Sequence, residues 1–72
     1  MNLLATDEKW IRRGEMIQNA RIAKGMKQSE IALILGKSVS AISSYELGTR
    51  RPNLDDAKKL CDLLELDIVQ LV

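Results

Sequence analysis

The stretch QSEIALILGKSVSAISSYELGTRRP, Gln28 to Pro52, holds the residues whose types and spacing bear on chemistry. It has the look of two short helices joined by a tight turn, a shape suited to reading DNA. The chemistry would be non-covalent: cations and helix N-termini on phosphates, side chains on base edges. The segment that would meet the bases, KSVSAISSYE, offers small hydroxyls and methyls, one Lys, and no Arg, Asn or Gln. Covalent chemistry is poorly provided for. The chain has no histidine, one cysteine (Cys61), no phosphate-cradling glycine loop and no metal-ligand spacing. With the acids expected on solvent faces, an enzyme, a metal site and a cofactor are all disfavoured.

With 72 residues, the chain makes one domain with a limited core. Net charge is +1, unevenly spread. Residues 1–53 carry nine Lys and Arg against five acids, or +4, and residues 54–72 carry two Lys against five acids, or −3. A basic body suits a polyanion partner, although solvated helix faces give the same balance. Cys61 lies in the apolar-periodic run KKLCDLLEL and reads as a small buried thiol in a reducing compartment. The start, MNLLATDEKW, lacks the features of a signal peptide, and IALIL is too short to span a bilayer. These features predict a soluble, cytoplasmic protein.

The elements that must position the Gln28–Pro52 segment are helical. Sustained β-branched alternation is missing, and turn signals separate short helical patterns. The sequence predicts an all-α fold of five short helices over residues 1–72, with residues 1–6 a flexible N-terminus. Helix 1 starts near Asp7 with Thr6 as cap, places Trp10, Ile17 and Arg21 on one face, and stops at Gly25. Helix 2 covers Gln28 to Leu35, turning Ile31, Ala32 and Leu35 inward. Glu30 sits where a capping-box acid belongs, and Gly36 ends the helix with positive φ. Ser38 caps helix 3, which runs to about Leu47 and stops at Gly48. Asn53 caps helix 4, roughly Leu54 to Glu65, with Ala57, Leu60, Cys61 and Leu64 as its apolar stripe. Asp67 and Gln70 form a capping box for a short fifth helix within the tail, residues 66–72.

The run from Gly14 to about Leu71 resembles the lambda-repressor-like (Cro/repressor, XRE-type) helix-turn-helix family. The resemblance rests on Gly14 and Ile17, Arg21, Gly25, then Gln28, Glu30 and Ala32, Leu35 and Gly36, Ser38, Ile42 and Ser43, Tyr45, Glu46 and Gly48, and Pro52, in order. It implies a helix-turn-helix at about 28–47 and a buried ion pair between Arg21 and Glu46. An Arg stem lying over the core with its head in water is the other reading of Arg21.

The resemblance also implies where DNA would lie. The start of helix 3 would enter the major groove and bring Ser38, Val39, Ser40 and Ser44 to the bases. Gln28 would meet a phosphate, and Lys27, Lys37, Arg50 and Arg51 would flank it. Serine discriminates base edges poorly, so phosphates and groove shape would supply much of the binding. Temperate-phage switches of this family imply operator DNA as partner.

They also include small proteins that bind a phage repressor instead, and several apolar residues keep that antirepressor reading open. Val39, Ala41 and Leu47 make helix 3 more apolar than a groove helix needs. Ile11 and Ile22 fall about 20° apart on a side of helix 1 away from Ile17. The tail, with Val69 and Val72, serves either the core or the seam of a homodimer. Neither a membrane nor a small-molecule substrate is indicated.

Overall fold

A computed structural model describes residues 8–71. Helix α1 spans Glu8–Ala23, α2 Gln28–Leu35, α3 Val39–Leu47 and α4 Leu54–Leu64, followed by a 3-10 turn at Ile68–Gln70. The proposed Thr6 cap and the side chain of Val72 lie outside the described residues. Among the described residues the expected five helices become four and a tight turn. Asp67 and Gln70 do form the reciprocal box: the Val69 N–H reaches Asp67 Oδ1 at 3.1 Å, and the Asp67 N–H reaches Gln70 Oε1 at 3.1 Å. The backbone, however, bonds three residues back, from Gln70 N–H to Asp67 O and from Leu71 N–H to Ile68 O. At about three residues per turn, positions three apart share one face. That turn points both Ile68 and Leu71 at the core, with Leu71 fully buried.

The sequence signals at the other helix ends act locally as expected. Ser38 Oγ accepts the Ala41 N–H at 3.1 Å, and Asn53 Oδ1 accepts the Asp56 N–H at 2.8 Å. Each replaces a bond that the first turn of a helix cannot make within itself. Glu30 accepts the Lys27 N–H at 2.7 Å, completing the half of a capping box that a lysine cap allows. Gly36 and Gly48 end α2 and α3 in the left-handed region. Helix α4 stops one residue earlier than expected, because Glu65 itself takes that conformation, at φ 59°. Its carboxylate pairs with Lys24, in the turn just after α1, which holds it below the usual carboxylate range.

The core gathers Ile17 from α1, Ile31, Ala32 and Leu35 from α2, Ile42 and Tyr45 from α3, and Ala57, Leu60, Cys61 and Leu64 from α4. Cys61 is buried, and burial, then Asp62 and Asp67, pushes its thiol up. Ala41, expected on the exposed side of α3, is 3% exposed and packs inward. Two acids are buried: Glu46, as the implied ion pair requires, and Asp56, which departs from the solvent face expected of it.

Helices α1 and α3 meet backbone to backbone. A Cβ on Gly14 would sit 2.3 Å from the carbonyl oxygen of Glu46, and one on Gly48 would sit 2.7 Å from Cα of Ile11. Only glycine leaves room for that crossing. Gly14→Ala should therefore destabilise the fold by about 1–3 kcal/mol or more in urea unfolding. Gln18→Ala, on the exposed side of the same helix, should stay within about 0.5 kcal/mol. Equal stability of the two variants would refute the close crossing.

Candidate nucleic-acid interface

The helix-turn-helix unit is α2, the turn through Gly36 and Lys37, and α3. Its geometry is set by a buried carboxylate. Glu46 of α3 receives Arg21 Nε at 2.6 Å and Arg21 Nη2 at 3.1 Å, a two-pronged pair between α3 and α1. The remaining prong of the guanidinium, Nη1, donates to the carbonyl of Met26 at 2.9 Å. Gln28 Nε2 adds a third donor to Glu46, at 2.9 Å, from the first residue of α2. The hydrogen bonds to Glu46 raise the Arg21 pKa further above its already high value. The expected Arg21–Glu46 pair is thus present, and it extends to a third helix.

A second knot joins the turn to α4. Tyr45 Oη donates to Asp56 Oδ2 at 2.8 Å, and Lys37 Nζ lies 3.5 Å from the same oxygen. Burial, then the bond to Asp56, pushes the Tyr45 phenol up to about 12. Sequence reasoning missed this knot. Asp56 is three residues past the cap Asn53, where an acid reads as ordinary support for a helix start.

These knots commit several residues expected at the DNA surface. The Gln28 amide nitrogen is taken by Glu46, leaving its amide oxygen and the backbone N–H groups at the start of α2. Lys37 is held by Asp56, and Arg51 stacks 5.1 Å from the centroid of the Trp10 ring. Lys27 and Arg50 are exposed and carry no side-chain ion pair among the described residues. On the groove side, Ser38 is engaged as a cap, and Ser44 Oγ donates to the Ser40 carbonyl at 3.0 Å. The Ser40 hydroxyl and the Val39 methyls remain uncommitted, and both residues are exposed.

The apolar surface is larger than the sequence reading had it. Ile11, Ile22, Val39 and Leu47 are exposed as expected, Val69 takes the exposed one of its two readings, and Leu33, Ile34 and Leu54 join them, Leu33 at 84%. Leu33 and Ile34 sit inside IALIL, where helical spacing turns only Ile31, Ala32 and Leu35 inward.

Residues 17–71 match the helix-turn-helix family. The chain belongs to that family. It is 44% identical over 55 residues to an uncharacterized HTH-type transcriptional regulator of Archaeoglobus fulgidus. That match covers 75% of this chain but 24% of the archaeal protein, so the chain spans about a quarter of that relative's length. The fold is also similar to the crystal structure of the restriction-modification controller protein C.AhdI from Aeromonas hydrophila. The TM-score is 0.79 at 26% identity, over 92% of this chain and all of the other.

Two predictions follow from the knots. Glu46→Ala strands the Arg21 guanidinium and should cost about 3–5 kcal/mol in urea unfolding, against 0–1 kcal/mol for an exposed pair. A loss in the exposed range would show the pair to be superficial. Tyr45 is the single tyrosine, so tyrosinate absorbance reports it alone. Its midpoint should lie near 12 while the protein is folded. Because the folded state disfavours the ionised phenol, the stability this contributes is complete below the unfolded pKa of about 10. It is lost as pH rises from there through the folded value. Tyr45→Phe should remove that alkaline dependence, and a wild-type midpoint near 10 would contradict the buried bond to Asp56.

Proposed function

We propose that this chain binds duplex DNA as a transcriptional regulator, with operator DNA as its partner in the cytoplasm. The observation that carries the proposal is the exposed start of α3, with Val39 and Ser40 outward. Two rigid knots hold that helix against α1, α2 and α4. In this arrangement α3 lies in the major groove, and the start of α2 faces the backbone. Lys27 and Arg50 meet phosphates, joined by the free N–H groups at the start of α2.

Base reading is sparse. One free serine hydroxyl and one valine side chain discriminate little, so phosphate contacts carry most of the affinity and groove shape much of the specificity. Two copies would read a palindromic site, and the exposed Val69 and Leu54 support such a pairing. A temperate-phage switch is one setting for such a regulator. Control of a restriction–modification system, the role of the structural neighbour, is another.

One observation favours a second reading, an antirepressor that binds a repressor protein. Val39 and Leu47 are apolar and exposed on the same helix, Leu47 at 64%. Such residues suit a protein contact better than a groove. In that case Val39→Asp or Leu47→Asp would abolish co-purification with a co-encoded repressor while leaving the fold intact.

The deciding measurement is a gel shift across a salt series, using the DNA upstream of the gene. Binding should weaken steeply with salt. Replacing Lys27 and Arg50 together by Ala should weaken binding to every sequence and lower the log–log salt slope by about two. Failure to shift any duplex at low salt would sink the DNA reading.

A further inference from the structure

Two guanidiniums converge on the one tryptophan. Cζ of Arg13, from α1, lies 4.6 Å from the centroid of the Trp10 ring, and Cζ of Arg51, from the α3–α4 loop, lies 5.1 Å from it. The ring's negative face offsets part of their mutual repulsion. Neither arginine forms an ion pair among the described residues. Glu8, the acid lining the shallow groove beside Arg13, is 3.5 Å from Arg12 instead. Arg13 Nη1 is buried and has no hydrogen-bond acceptor.

We infer that Arg13 and Arg51, held on Trp10, form a phosphate-binding cluster that grips the DNA backbone beside the helix-turn-helix. The inference rests on the DNA-binding proposal for the source of the phosphate and on this geometry for the site. Three features favour a phosphate. Two planar guanidiniums match the oxygen geometry of a phosphate. The cluster adjoins Arg50, an exposed cation one residue from Arg51. The tight seat of Gly48 against Ile11 and the Trp10 carbonyl fixes the α3–α4 loop against the start of α1. Any backbone that reaches Arg50 from α3 is therefore brought towards Trp10. In this cluster Trp10 is a positioning residue: it orders both side chains in advance of binding.

Trp10 is the single tryptophan, so its fluorescence reports the cluster directly. The full chain would be titrated at low salt with a short duplex and, separately, with inorganic tripolyphosphate, with a gel shift run in parallel. The expected result is a change in Trp10 emission on binding DNA. Arg13→Gln should blunt that change, weaken binding several-fold and lower the salt slope by about one. Lys27→Gln should lower the slope similarly but leave the emission change at saturation intact. Trp10→Phe should retain most of the affinity and Trp10→Leu should lose it. Should Trp10→Leu fail to fold, Arg13→Gln carries the test, because Arg13 lies outside the main core.

If duplex is shifted normally while Arg13→Gln changes neither slope nor emission, the cluster is overturned and the DNA-binding proposal stands. If no duplex is shifted, that proposal fails and tripolyphosphate decides the site. An emission change that requires Arg13 keeps the cluster and assigns its ligand to free phosphate. No change overturns it.

Discussion

Glu46 is the constraint on which the rest of the structure depends. The residue is 4% exposed, and its carboxylate would be untenable in the core without donors. Three converge on it, two from Arg21 and one from Gln28, and Arg21 spends its last prong on the Met26 carbonyl. One charge therefore ties α1, the α1–α2 turn, α2 and α3 together. The arrangement is demanding in both directions: each partner is costly to bury alone, so the helices have little freedom to slide without breaking several bonds at once. The glycines at positions 14 and 48 make it possible, because the guanidinium reaches Glu46 only when α1 and α3 lie backbone to backbone.

The second knot, Tyr45–Asp56–Lys37, extends the same logic to α4. The knots, with the Ser38 cap and the Ser44–Ser40 bond, explain why the proposed DNA-facing surface is chemically thin. Gln28, Lys37, Ser38 and Ser44 are all expected on DNA from the sequence, and each is partly used inside the protein. A side chain already bonded in the free state is pre-organised, and it contributes fewer new bonds on binding. The proposed interface is thus a rigid shape with scattered cations rather than a set of long base-reading arms. Such a surface favours backbone contacts and groove shape over direct readout.

Local signals in the sequence match the structure because local physics decides them. Ser38 and Asn53 cap the helices they precede, and Gly36 and Gly48 take positive φ where α2 and α3 end. The inward stripes of α2 and α4 follow helical spacing. The errors share a cause: each residue's fate depends on a distant neighbour. Ala41 was expected outside and Asp56 on a solvent face, but the approach of other helices buries both. The fifth helix became a 3-10 turn, although its capping box formed as expected, because three-residue spacing lets both Ile68 and Leu71 reach the core. Trp10 and Arg51, 41 positions apart in the sequence, meet only because Gly48 seats the loop against α1.

By itself, the sequence determined the helical class, the ends of the central helices, and the matched Arg21 and Glu46 within a family pattern. These depend on residue type and short-range spacing, which a linear string carries in full. The tertiary structure alone decided which polar side chains remain available. Hydrogen-bond donors and acceptors are consumed pairwise, between segments far apart in the chain, as at Gln28, Lys37 and Asp56. Which partner consumes them is a matter of distance in space.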